Sequence, residues 1–258
     1  MFIRSLYIVC FILLFQGIGI RAQERTVEVG IDEKLGAVIP DSIVFMDEQG
    51  DTISLRSIIK KPTIMMLVFY SCKGLCSPLM AEVASLVPQL DMAPGREYQL
   101  VSISFDPDEK PGMALERKNN FLPAIQMKFP EEAWRFLTGD PKNIKAITEL
   151  TGYRYRKDGE FFVHPGALIV VSPNGKITRY LLGTTFMPFD IKMSIANAVL
   201  EQVSPTIAKT LKMCYSTEPA GKKNYETILR IFLAITLVSA GVFVFLITRS
   251  RKKVKIGE

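Results

Sequence analysis

Two cysteines four residues apart and one distant imidazole carry the most chemistry in this chain. Cys72 and Cys76 lie in Phe69-Tyr70-Ser71-Cys72-Lys73-Gly74-Leu75-Cys76-Ser77-Pro78, between a very apolar run and a helix start, and His164 is the only histidine. Thiolate is the form of cysteine that binds metal or attacks a disulfide, and a helix N-terminus favours it through oriented N–H groups and the helix dipole. Two thiolates and an imidazole make a soft, three-coordinate set that suits Cu(I); Zn(II) accepts the same ligands but usually takes a fourth. At i, i+4 the two sulfurs can face one ion, and the spacing also permits a reversible disulfide. A purely structural disulfide explains the pairing but not the strand-end position or the histidine. A lone histidine is ordinarily a loop or core residue. His164 becomes a ligand candidate through its place, just before Pro165-Gly166 and the apolar run Ala167–Val171.

The elements that must position these groups follow from periodicity and punctuation. Thr63 to Tyr70 reads as a fully buried central strand. Ser77-Pro78 reads as an N-cap and first-turn proline, opening a helix toward Leu90 that Pro88 ends or bends. Ser42–Met46 and Thr52–Leu55 flank a polar, glycine-containing turn. Tyr98 to Phe105 is a second buried strand, Asp106-Pro107-Asp108 turns the chain, and Glu109 to Phe121 reads as a surface helix. Asp140-Pro141 starts a helix that reaches Leu150 and stops at Gly152. Phe161–Val163 is a short strand, and Ala167–Val171 and Lys176–Leu182 form a hairpin across Pro173-Asn174-Gly175. Helices over about Asp190–Val203 and Thr206–Tyr215 follow. Such alternation predicts an α/β fold with a mixed sheet and a dithiol at the carboxyl end of a central strand, where such sheets place ligands.

The flanks predict export and anchoring. Arg4, the apolar run Leu6–Phe15 and Ala22 make a signal peptide over residues 1–22; an uncleaved anchor there exports the chain equally. Residues 231–248 carry no charged side chain and as a helix span about 27 Å, close to a bilayer's hydrocarbon thickness. Arg249, Arg251, Lys252, Lys253 and Lys255 then predict a cytoplasmic tail over residues 249–258, with the bulk of the chain outside. These five, less Glu258, together with Arg4 and Arg21 account for the whole formal charge of +6, so residues 23–248 are neutral. The basic balance therefore reports topology and excludes a polyanion-binding surface; no nucleic-acid partner is expected.

The stretch Tyr70–Pro78 resembles the CxxxCP-type metal-binding motif of the Sco/SenC family, with Ser77 inserted where many members have proline directly after the second cysteine. Ser102-Ile103-Ser104-Phe105-Asp106-Pro107, Trp134-Arg135-Phe136-Leu137-Thr138-Gly139 and His164 to Gly183 extend the resemblance over roughly residues 34–215. Cys214-Tyr215 before the anchor is similar to a branch of the family with that pair. The resemblance implies an α/β, thioredoxin-like mixed sheet flanked by helices over residues 23–215, a connector over 216–230 and a single membrane span over 231–248. It implies copper, Cu(I) and also Cu(II), held by Cys72, Cys76 and His164. In a thioredoxin-like sheet the loop entering the last hairpin lies beside the dithiol, often with a cis-proline, the place of Pro165. The implied role is copper delivery to a respiratory cytochrome oxidase, at the dinuclear copper site of subunit II, or to another copper-accepting membrane oxidase. The main domain is then periplasmic or extracytoplasmic, at the cell (inner) membrane, with the C-terminus in the cytoplasm.

A different function uses the same thiols. Cys72 and Cys76 would be the redox-active pair of a thiol–disulfide oxidoreductase that reduces the oxidase's cysteines, with no strict need of His164. A thiol peroxidase would need a base or arginine beside one cysteine, and none adjoins Cys72. Asp106 reads as a turn or cap residue, Met187 as packing beside Phe186 and Phe189. Cys214 stays outside the ligand set, near the membrane connector.

Overall fold

The runs of apolar residues that lack polar alternation become the middle of one sheet. The computed structural model describes residues 29–72, 76–159, 161–206, 232–239 and 241, and the chain divides into two compact units at Pro205/Thr206. The first unit opens with β1 (Gly30–Ile31), the hairpin β2 (Val44–Met46) and β3 (Thr52–Ser54), and the single turn α1 (Leu55–Ile58). Then come β4 (Thr63–Val68), α2 (Cys76–Leu86), β5 (Gln99–Ser104), α3 (Pro111–Phe121) and β6 (Trp134–Leu137). The series continues with α4 (Pro141–Leu150), β7 (Tyr153–Arg154), the hairpin β8 (Arg156–Asp158) and β9 (Phe161–Val163), then β10 (Ala167–Val171), β11 (Ile177–Leu182) and α5 (Pro188–Val199).

The central sheet runs β11-β10-β4-β5-β6. β4, β5 and β6 are parallel; β10 is antiparallel to both β4 and β11. Every residue of β4 and β10 is buried, as a strand covered on both faces requires. α3 packs against β6, and α5 against β10 and β11. The predicted α/β alternation and mixed sheet are what the chain adopts. β6 is a strand that periodicity did not mark; Trp134 ends up fully buried there, its indole N–H donating to Ser102 Oγ at 2.9 Å.

Two boundaries move for identifiable reasons. β4 ends at Val68 rather than Tyr70, because the Tyr70 and Ser71 amides are captured by the Glu109 carboxylate at 2.6 Å each. α2 begins at Cys76, not Pro78, and Ser77 is no N-cap: its hydroxyl donates backwards to the Cys72 carbonyl at 3.0 Å. α2 then tightens into a 3-10 turn over Val87–Leu90 that carries Pro88. At α4 the sequence reading holds, with Asp140 accepting from the Asn143 amide. Gly152 after it is left-handed (φ 63°), and a Cβ there would come within 1.9 Å of the Asp32 carbonyl. Only glycine allows that approach, which seats β7 antiparallel to β1 with Tyr153 opposite Ile31.

At the other side of the sheet Glu48, almost wholly buried, meets Lys118 of α3, and Arg135 of β6 bridges Asp47 and Glu48. Of the second unit, residues 232–239 and 241 are helical with exposed side chains. Half of the predicted span 231–248 lies outside the described residues, among which no helix is long and apolar enough to cross a membrane. The signal peptide, Cys10, the helix toward Tyr215, Cys214, the connector and the basic tail also fall outside them.

Candidate metal centre

Topology brings the histidine to the cysteines. β10 runs antiparallel to β4 with Ile169 opposite Met65, so the residues just before Ala167 return to the level of those just after Val68. His164 Nε2 thereby lies 3.2 Å from Cys76 Sγ, across 88 residues of sequence. Cys72 Sγ sits over the start of α2, accepting from the Cys76 amide at 3.5 Å. The three donor atoms lie within 4.8 Å of one another. Ligand bonds to thiolate and imidazole are about 2.0–2.3 Å long for a zinc ion, which sets three donors around one ion roughly 4 Å apart. The observed cluster fits such an ion with little movement. The two cysteines are thiols, not a disulfide, and residues 73–75 between them lie outside the described residues.

The site is dry. Cys72 is 6%, Cys76 0% and His164 9% exposed. The rings of Phe69 and Phe105 stand edge-on to the imidazole, with centroids 5.7 and 5.3 Å away. Burial pushes the Cys76 thiol far above its ordinary range, and the hydrogen bond with Cys72 adds to that. Here desolvation outweighs the helix dipole, so Cys76 holds its proton until a cation arrives, contrary to a freely ionised pair. Cys72 has the Cys76 amide aimed at its sulfur.

Two residues that sequence reasoning missed hold this cluster in place. Glu109, 2% exposed, accepts from the Tyr70 and Ser71 amides and from the Ser71 and Ser104 hydroxyls, each at 2.6 Å. It fixes the segment that leads into Cys72. In sequence Glu109 reads as the start of a surface helix; no pattern there marks a polar residue that folds inward. Tyr153 backs His164, its hydroxyl 2.9 Å from Nδ1. Beneath it, the Pro165-Gly166 turn lies against Gly183, whose amide donates to the Gly166 carbonyl at 2.9 Å. The peptide before Pro165 is trans.

The lesser candidates separate. Asp106 is a turn residue, its carboxylate accepting from the Asp108 amide at 3.0 Å. Met187 does not pack: it is 67% exposed, as is Phe189 at 68%, while Phe186 alone of the three joins the core.

Residues 33–199 match the SCO1/SenC family. The SCO1 protein homolog of Bacillus subtilis (strain 168) is 24% identical over 160 residues, spanning 58% of this chain and 77% of that protein. A solved structure from Aquifex aeolicus VF5 superposes with a TM-score of 0.58 at 20% identity, covering 64% of this chain and 94% of the other. Arabidopsis thaliana ScoI, solved with copper bound, gives 0.53 at 18% identity over 65% and 99% of the two chains. At these identities the structural likeness speaks for the fold, a central mixed sheet flanked by helices like the thioredoxin-like fold of Sco proteins. The sequence match itself runs over more than half of the 258 residues, and the chain belongs to the SCO1/SenC family.

Proposed function

We propose that this protein is a copper chaperone, tethered to a membrane with its folded domain outside the cytoplasm, that passes copper to a respiratory cytochrome oxidase. The observation that carries the reading is the 3.2 Å approach of His164 Nε2 to Cys76 Sγ beside Cys72, three soft donors clustered in a buried position. Membership of the family and the copper-bound relative from Arabidopsis thaliana support copper as the cargo. Cys72, Cys76 and His164 would hold it. With Cu(I), two thiolates and a neutral imidazole carry a net charge of −1. The chain's own part in loading is to release the Cys76 proton, which burial otherwise retains. Low coordination number then permits handover by stepwise ligand exchange.

The test is a Cu(I) titration of reduced full-length protein against a competing chelator. One copper per chain is expected, and His164→Ala should weaken it at least a hundredfold, since a direct ligand matters more than an outer-sphere partner. Equal affinity in His164→Ala would remove the histidine from the mechanism. The tether rests on the uncharged run 231–248 and the basic residues after it; retention in the membrane pellet after alkaline carbonate extraction is expected, and release into the supernatant would refute it.

A second reading is favoured by the amide of Cys76 aimed at Cys72 Sγ. A Cys72 thiolate would attack a partner disulfide, and Cys76 would resolve the mixed disulfide, passing two electrons to the partner. His164→Ala separates the two readings: oxidase assembly retained in that variant favours thiol exchange, and assembly lost favours copper.

A further inference from the structure

Tyr153 lies behind the candidate ligand His164 and has only one proton to share among three neighbours. Its hydroxyl is 2.7 Å from the Pro165 carbonyl, 3.1 Å from the Leu67 carbonyl and 2.9 Å from His164 Nδ1. Carbonyls only accept, so the phenol hydrogen belongs to one of them. The phenol oxygen then faces Nδ1 as an acceptor, which requires a hydrogen on Nδ1. The opposite arrangement, with the phenol donating to Nδ1, would leave two carbonyl oxygens against a phenol oxygen with no hydrogen between them. In a pocket where Tyr153 is 3% exposed, that repulsion has no water to relieve it. A second contact agrees: Nδ1 is 3.1 Å from the Pro165 carbonyl, again an acceptor. The edge-on rings of Phe69 and Phe105 resist a flip of the imidazole.

We propose that Tyr153 is a positioning residue that locks His164 in the Nδ1–H tautomer, with the Nε2 lone pair turned toward the cysteine sulfurs before any ion arrives. The inference deepens the copper reading and rests on it for the identity of the ion, but the tautomer itself is a property of the metal-free protein. A buried imidazole that must choose its tautomer on metal arrival would bind more weakly, and outer-sphere partners of ligating histidines commonly contribute 10–100-fold to affinity.

One histidine in the chain makes the test clean. Full-length protein in detergent micelles, reduced, metal-free and labelled with 15N at histidine, should show a single imidazole with its proton on Nδ1. Tyr153→Phe keeps the ring and removes the hydroxyl, leaving the Pro165 carbonyl as the remaining acceptor. It should give a mixed tautomer and bind Cu(I) about tenfold more weakly by chelator competition, the lower end of that range. A wild-type proton on Nε2 overturns the proposal whether or not the variant folds. So does a folded Tyr153→Phe that keeps the wild-type tautomer and copper affinity while losing only stability, since that is a packing role. If the wild type shows Nδ1–H but binds no copper, the copper reading falls and the positioning stands.

Discussion

Glu48 and Glu109 are both carboxylates buried to within a few per cent of full enclosure, and they are served differently. Glu48 meets Lys118 and Arg135, and Arg135 also holds Asp47, so two acids face two bases on one side of the sheet. Glu109, at the carboxyl end of β4, receives two amides and two hydroxyls, and among the described residues no lysine or arginine pairs with it. The first arrangement is electrically closed. The second has no basic partner among the described residues; Glu109 holds the segment that leads into Cys72 and, after burial and the contact with Cys72, opposes ionisation of Cys76. A cation entering among the sulfurs relieves that tension. The balanced cluster therefore needs every member in place, while the unbalanced one bears on the candidate site.

The largest expected effect breaks the closed cluster. Glu48→Ala leaves Lys118 buried without its partner and should lower unfolding free energy by about 3–5 kcal/mol. Denaturant midpoints would report this, with copper affinity per folded molecule unchanged. A milder change sharpens the contrast: Glu109→Gln keeps the shape but turns an amide group on donors that need acceptors. It should destabilise by about 2–3 kcal/mol and, unlike Glu48→Ala, should also weaken copper binding. A Glu109→Gln protein that is less stable but binds copper as tightly would reduce Glu109 to scaffolding and erase the distinction drawn between the two regions. The smallest effect is expected for Glu48→Leu combined with Lys118→Met. Replacing the pair by apolar groups of similar volume leaves the Phe136 amide and Arg135 without Glu48 and should cost about 1–2 kcal/mol. A large loss there would mean that the closed cluster contributes specificity that its charge balance does not reveal.

Much of this arrangement is legible in the residues themselves. Short apolar runs without alternation, bounded by turn residues, read as covered strands, so β4, β5 and β10 follow from their length and flanks. Asp140-Pro141 and Gly152 mark the ends of α4, and the strand-end cysteines and His164 follow from the spacing of soft donors and from the family resemblance. Inward-turning polar residues were not legible. Glu109 stands in a charged stretch, Asp106 to Lys110, whose local pattern is that of solvent exposure; its burial depends on amides just past the end of β4, 39 and 38 residues earlier. Tyr153 reads as one aromatic after a glycine, and its role appears only once β10 has carried His164 back across the sheet. The early end of β4 has the same cause, because a side chain remote in sequence outcompetes the next rung of the ladder. The thiol chemistry was half legible: the helix start is there, but whether its dipole or desolvation prevails depends on how tightly the core closes over Cys76.

The antiparallel seam between β10 and β4 also orders events in time. A chain emerging from synthesis or through a membrane pore exposes its thiols long before the imidazole, and a lone pair of cysteines on an open polymer grips an ion weakly and oxidises readily. Competence thus arrives with the final hairpin, after nearly the whole sheet has closed. Occupancy in turn ties that hairpin to the strand it joined last, so a loaded molecule should resist heat and proteases better than an empty one, by an increment that grows with the logarithm of ion concentration above the dissociation constant.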